Sequence, residues 1–270
     1  MGLNLKFNCP LCSSSNGRLL YNSGNYYLIF CQKCRSNYQI RYKELKKEYG
    51  KDYYFDNHAK TYGKTYIEDE ENIRLIARRR LKRLKRIFPE KALLLDVGSA
   101  LGLFCDEARQ AGFDVYGLEI SDYAREYCIK RFGISCFKSW AEVEKYKYDV
   151  ITLWFTLEHI EKPAELLFRI NPLLKERGIL ALSLPNGHGA FARFNRKEYY
   201  KKRPEEHFFE PSINGMRILL KKAGFRLINV NICGLHPERI GLPDNFVIRG
   251  IQKILSLGDT FEVIAVKENK

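Results

Sequence analysis

No stretch of this chain approaches the ~20 consecutive apolar residues that a membrane-spanning helix requires. No secretory apolar segment opens it either, because MGLNLKFNCP reaches a turn signal within ten residues. Lys6 stands where an N-myristoylation signal needs Ser or Thr. These absences argue against a spanning, secreted or lipid-anchored protein and predict a cytoplasmic one. Internal repeats and low-complexity tracts are also missing, which argues against a solenoid and against disorder.

The 270 residues are 45% hydrophobic and 29% charged, enough for a full α/β core with a small extra module. Net charge is +14, spread as +10 over residues 1–90, −2 over 91–188 and +6 over 189–270. Basic flanks around a near-neutral middle fit nucleic acid, an anionic surface or a phosphorylated substrate, and fit solubility alone equally well.

Four of the eight cysteines form CPLC (Cys9, Cys12) and CQKC (Cys31, Cys34), with eighteen residues between the pairs. Each C-x2-C turn aims two thiolates at one point, and two such turns complete the tetrahedron of a structural Zn2+ site. Disulfides are the weaker reading in a chain without a secretory signal. Such a site has no open coordination position, so it holds structure or touches substrate and does no chemistry. Cys105, Cys128, Cys136 and Cys233 lack metal spacing and read as buried small hydrophobes.

A tyrosine-rich stretch follows, in which Tyr62 and Tyr66 are candidates either for a lid or for aromatic packing. Residues 68–88, EDEENIRLIARRRLKRLKRIF, then predict an amphipathic helix, acidic at its start and basic at its end, with Pro89 beyond it. Its arginines read as a solvated face, with phosphate contact as the alternative. Beyond residue 92 strands alternate with helices: ALLLDVG, DVYGLEIS, ISCFKS, YDVITLWFT, ILALSLPN, FRLINVNICG and DTFEVIAVKE are the strands. KPAELLFRINPLLKERG reads as a helix broken at Pro172. Continuous apolar strands in such alternation predict a parallel, doubly wound sheet. The expected domains are a zinc ribbon over 1–45, a linker and basic helix over 46–90, and an α/β domain over 91–270.

In a doubly wound sheet the ligand sits beyond the carboxyl ends of the strands. The first of these strands ends at Asp96 and turns on Gly98 and Gly102, spaced G-x-x-x-G. That differs from the dinucleotide fingerprint, so a pyrophosphate binder is the weaker reading. Twenty-one residues after Gly98, Glu119 ends the second strand, where an acid can accept hydrogen bonds from both ribose hydroxyls.

LLLDVGSALGLF, VYGLEIS, the segment YDVITLWFTLEHIEKPAELLFRINPLLKERGILALSLPN and EEHFFEPSINGMRILLKKAGFRL together resemble class I S-adenosylmethionine-dependent methyltransferases. The later motifs are similar to the subgroup of ubiquinone-pathway and sugar methyltransferases. The match spans about 91–232 and is specific for the cofactor, far less so for the substrate. It implies a Rossmann-like seven-stranded sheet whose last strand is antiparallel. It further implies that Asp96, Gly98, Ala100 and Gly102 shape the methionine end of an S-adenosylmethionine site. Glu119, with Ile120 beside it, would hold the ribose; Ser139 and Trp140 would flank adenine; Leu153 and Trp154 would lie beside the sulfonium. Ala100 stands where many members have glycine.

A hydroxyl acceptor needs a base, and the candidates are His207 and His159; His159 reads equally as a structural cap of the next helix. In ubiquinone-pathway members an acid ahead of L-E-H helps bind a metal. Phe155 occupies that position here, which argues against a Mg2+ site on Glu158 and His159. The expected acceptor is a small molecule, a sugar or a nucleotide- or lipid-linked glycan intermediate. RNA is the alternative, since some ribosomal-RNA methyltransferases carry a C-P-x-C ribbon before the same fold. A non-catalytic zinc-bearing interaction module is a third reading, opposed by the intact cofactor motifs.

Overall fold

The computed structural model describes residues 8–44, 50, 59, 63–88 and 90–268. Tyr62 and Pro89 fall outside them. In chain order the chain first forms strands β1 (Gly17–Asn22), β2 (Tyr26–Cys31) and β3 (Asn37–Arg41), then helix α1 (Glu70–Ile87). β4 (Leu93–Val97), α2 (Leu103–Gln110), β5 (Asp114–Leu118), α3 (Asp122–Phe132), β6 (Cys136–Phe137), α4 (Trp140–Val143) and β7 (Tyr148–Trp154) alternate as expected. After α5 (Pro163–Ile170) come β8 (Leu174–Pro185), α6 (Ala190–Phe194), α7 (Arg196–Lys202), β9 (Phe209–Glu210) and α8 (Ile213–Lys222). β10 (Phe225–Cys233), α9 (Phe246–Ile254) and β11 (Thr260–Lys267) complete the chain.

The larger sheet has seven strands in the order β10-β11-β8-β7-β4-β5-β6. β4 pairs in parallel with both β5 and β7, and β5 with β6, whereas β11 runs antiparallel to β10. This is the Rossmann-like sheet with an antiparallel last strand that the motifs implied. The chain divides into two compact units, Met1–Leu45 with Trp154–Pro172 and Leu180–Lys270, and Lys46–Leu153 with Leu173–Ile179.

In the second of these units, α1 buries Ala77, Leu81 and Leu84, which recur at helical spacing. Glu70 and Glu71 occupy its first turn and Lys85 and Arg86 its last, matching the helix dipole. Two of its arginines are paired within the fold. Arg78 makes a bidentate pair with Glu107 (2.8 and 3.0 Å), and Arg74 reaches Glu107 (2.8 Å), Asp106 (2.9 Å) and Glu70 (2.8 Å). Arg131 of α3 closes the network on Glu70. The hydroxyl of Ser121 caps α3 by accepting from the Ala124 N–H, and Gly133 ends the helix at φ +65°. Cys105, Cys128 and Cys136 are buried together with Ile134, as small hydrophobes.

In the other unit the ribbon forms an antiparallel sheet in the order β1-β2-β3-β9. Its fourth strand comes from the segment HFFEPS, with Asn37 opposite Glu210 and Tyr38 opposite Phe209. Ser212, which caps α8, ties that helix to the ribbon. Its hydroxyl donates to the Cys34 carbonyl (2.5 Å) and its N–H to the Ser36 hydroxyl (3.0 Å).

Two elements differ from the sequence reading. LKERG is strand rather than helix, because Pro172 supplies no N–H to continue α5 and β8 begins at Leu174. The third parallel strand shrinks to Cys136–Phe137, an edge strand kept short.

Candidate active site

Strands β4, β5, β6 and β7 present their carboxyl ends side by side, and the residues singled out by the motifs lie there. Asp96 is buried opposite Thr152, whose hydroxyl donates to it at 2.6 Å. Burial pushes the Asp96 carboxyl up to about 7 against the pull of that hydrogen bond. The chain then turns through Gly98 (φ +75°), Ala100 (φ +47°) and Gly102 (φ +81°). Ala100 therefore takes the left-handed backbone that glycine adopts more readily, at a cost of about 1–2 kcal/mol. Gly102 is required twice over: its φ is positive, and a Cβ there would lie 2.3 Å from the Cys128 sulfur.

Glu119 follows β5 and is buried. Its carboxylate accepts the Ala100 N–H at 2.9 Å on one oxygen and the Ser121 N–H at 2.9 Å on the other. The first bond fastens the glycine turn to the end of β5. Burial holds its carboxyl above the ordinary range, opposed by these N–H groups. Each oxygen keeps an acceptor position, so the donor set of a ribose diol fits. Ile120 is 62% exposed beside it, an apolar surface open to a ligand. The Glu119 N–H donates to the Phe137 carbonyl, which places Ser139 and Trp140 just beyond the neighbouring strand. Ser139 donates to Glu142 (2.8 Å), and its own N–H does so too (2.9 Å), opening α4. Leu153 is fully buried and Trp154 half-buried at the end of β7. Tyr66 packs against Leu101 and Ala124. Burial, and then the charges of Asp96 and Glu119, raise its hydroxyl.

The two cysteine turns are built alike. The Ser13 N–H donates to the Cys9 carbonyl and the Arg35 N–H to the Cys31 carbonyl, both at 2.8 Å. Ser13 and Arg35 both have positive φ, at 59° and 63°. All four cysteines are buried, with their sulfurs within 4.8 Å of one another. The Cys9–Cys34 and Cys12–Cys31 separations are 3.6 and 3.4 Å. A tetrahedron with metal–sulfur bonds of about 2.3 Å has edges of about 3.8 Å, so four thiolates here fit one Zn2+.

The histidines proposed as alternatives are brought together. Glu158 and His159 lie on a short 3-10 turn, Leu157–His159. The Phe208 N–H donates to the Glu158 carbonyl at 2.8 Å, and the Phe208 carbonyl accepts the Gln39 N–H at 2.8 Å. That double tether sets the His207 ring edge-on to His159, centroids 4.8 Å apart. Glu158 is completely buried, and burial pushes its carboxyl up to about 8. Behind His207, Glu210 pairs with Arg203 at 2.7 Å, both almost wholly buried, and accepts the Tyr199 hydroxyl. Burial alone would raise Glu210, but the Arg203 charge beside it holds it down at about 2. Arg203 lies in none of the quoted segments; Thr152, Glu158 and Glu210 lie within them, and of these only Glu158 was weighed from the sequence, as a Mg2+ ligand.

A doubly wound sheet with an acid-tipped β4, a glycine turn and a buried acid after β5 defines a nucleoside-binding α/β enzyme fold. Residues 68–230 match the family described as "Methyltransferase domain", and the chain belongs to that family. It is an S-adenosylmethionine-dependent methyltransferase. A search of the curated proteins finds no match. Among solved structures it is similar to a SAM dependent methyltransferase from Archaeoglobus fulgidus, with TM-score 0.57 and 20% identity over 75% of this chain and 99% of that one. It is also similar to magnesium protoporphyrin IX methyltransferase from Synechocystis with bound SAH, with TM-score 0.56 and 14% identity over 80% and 97% of the two chains. The SAM-bound form of that enzyme gives TM-score 0.52 at 14% identity over 80% and 94%. At these identities the likeness is one of fold. Among the described residues no helix is long and apolar enough to cross a membrane.

Proposed function

We propose that the chain methylates an oxygen of a small-molecule acceptor, a sugar or glycan-biosynthesis intermediate that can be phosphorylated or nucleotide-linked. The observation that carries this reading against RNA is the internal pairing of the basic helix. Arg74 and Arg78 of that helix are ion-paired to Glu70, Asp106 and Glu107. A polyphosphate ligand would have to compete with buried carboxylates for them.

The bound cofactor supplies an electrophilic methyl group on a sulfonium. Glu119 would accept the ribose hydroxyls, with Ile120, Ser139 and Trp140 beside the nucleoside. Asp96, Gly98, Ala100 and Gly102 would shape the methionine end, and the tip of β7, Leu153 and Trp154, would flank the sulfonium. Transfer of that methyl to an acceptor oxygen, with its carbon–sulfur bond breaking as the new bond forms, is the chemistry the group would supply here. The acceptor proton goes to an imidazole nitrogen, with His207 favoured over His159. Such a transfer asks the protein chiefly for positioning and proton removal. The four cysteines would hold one structural Zn2+, fixing the ribbon.

A turnover screen with labelled methyl donor over nucleotide sugars, phenols and total RNA tests the reading. Methylation of a sugar or phenol oxygen is expected. Label appearing only in RNA would replace this reading with the RNA one.

A further inference from the structure

We propose that Glu158, His159 and His207 form a second metal site, distinct from the cysteine cluster, for a divalent first-row transition ion. One ligand atom from each of the three residues lies within 4.8 Å of the others, which is close enough to share one ion. Glu158 is the decisive group. Its side chain is completely buried, and among the described residues neither carboxylate oxygen has a hydrogen-bond partner. A buried carboxylate without partners is among the costliest arrangements a fold can keep, and pairing with a cation or coordinating a metal removes that cost.

The surroundings organise the imidazoles for this role. His207 turns its Nδ1 toward Glu210, 3.6 Å away, leaving Nε2 as the ligand nitrogen. Arg203 and Tyr199 hold Glu210 in turn. A carboxylate behind a histidine is the arrangement that orients metal-bound imidazoles and raises their basicity. The Phe208–Glu158 backbone bond fixes the spacing between the two segments. Two imidazoles and one carboxylate favour Zn2+, Fe2+ or Mn2+ over Mg2+, which prefers oxygen ligands and retained water.

This ligand set is not the one the family resemblance implies. The acid expected at position 155 is Phe155, and the third ligand comes from His207, on a different segment. Three protein ligands leave at least one coordination position open. An acceptor hydroxyl bound there would lose its proton more readily. That role rests on the O-methylation reading and, in the metal-loaded protein, takes the place of His207 or His159 as base, since both imidazoles are then ligands. The metal site itself does not rest on that reading.

The test is metal content, measured without cofactor or acceptor. Full-length wild type, His207→Ala and Glu158→Gln are loaded with Zn2+, freed of excess by gel filtration and analysed by plasma mass spectrometry. Wild type is expected to hold one equivalent more than either variant, whatever the occupancy of the cysteine cluster. Cysteine accessibility to a thiol reagent should be the same in all three. Equal zinc in wild type and His207→Ala would overturn the proposal and leave Glu158 as a buried protonated acid. His207 is partly exposed, so this variant decides the matter even where Glu158→Gln does not fold.

Discussion

Glu119 makes two backbone hydrogen bonds and is proposed to make two more with the ribose. Glu119→Ala should therefore weaken S-adenosylmethionine binding by roughly 2–4 kcal/mol, since charge-assisted bonds are worth about 1.5–3 each and do not fully add. Calorimetry on the folded variant measures this, and unchanged affinity would remove Glu119 from the site. Asp96 leads to a pH dependence. Its folded value, about 7, lies above the ordinary carboxyl range, so the folded state holds a proton that the unfolded chain gives up. The stability this provides is complete below about pH 4 and is lost as pH rises through about 7. Asp96→Asn should flatten the pH dependence of the urea midpoint over that window, and an unaltered slope would assign it to other groups. Both acids were legible in the sequence: Asp96 because a strand ending in an acid before a glycine turn is a local pattern, and Glu119 because it ends the next strand at a fixed spacing from that turn. The Glu158–His207 juxtaposition was not. It depends on one backbone hydrogen bond between segments far apart in the chain, and no spacing rule encodes that.

At the scale of elements, α1 was readable from its apolar period and its charge gradient, but the partners of its arginines were not. Asp106 and Glu107 look like exposed acids on α2 until the two helices meet. Glu107 is buried and receives both Arg74 and Arg78, so Glu107→Ala should destabilise the fold by about 2–3 kcal/mol. The figure sits at or below the usual range for breaking a buried pair, because Arg74 keeps Asp106 and Glu70. Urea denaturation checks it, and a loss under about 0.5 kcal/mol would place the pair with ordinary surface contacts. The first residues of β8 and the two-residue β9 escaped the reading for opposite reasons. The charges of LKERG imitate a helix end, while two residues are too few to show any period.

For the whole molecule, the uneven charge distribution makes binding depend on salt in a way that separates acceptor classes. An RNA covering six or more phosphates should lose about a thousandfold in affinity between roughly 50 and 200 mM salt, whereas a nucleotide sugar should lose about tenfold at most. The shallow dependence is expected, with turnover little altered by neutralising Arg79. A steep slope on an RNA acceptor would restore the alternative. The fold class could be read from the strand–helix alternation and its motifs because each motif is confined to one strand and turn. The ribbon's fourth strand could not, since it joins the chain's early and late segments.

That fourth strand has a consequence for synthesis on the ribosome. β3 is made early and its partner β9 only about 170 residues later. At cellular rates of about 5–20 residues per second, the ribbon waits roughly 10–30 s for its last strand. During that interval the outer edge of β3 presents unpaired N–H and carbonyl groups, the kind of surface that recruits strands from other nascent chains. A transcript cut anywhere before codon 209 would yield a product in which that edge never closes.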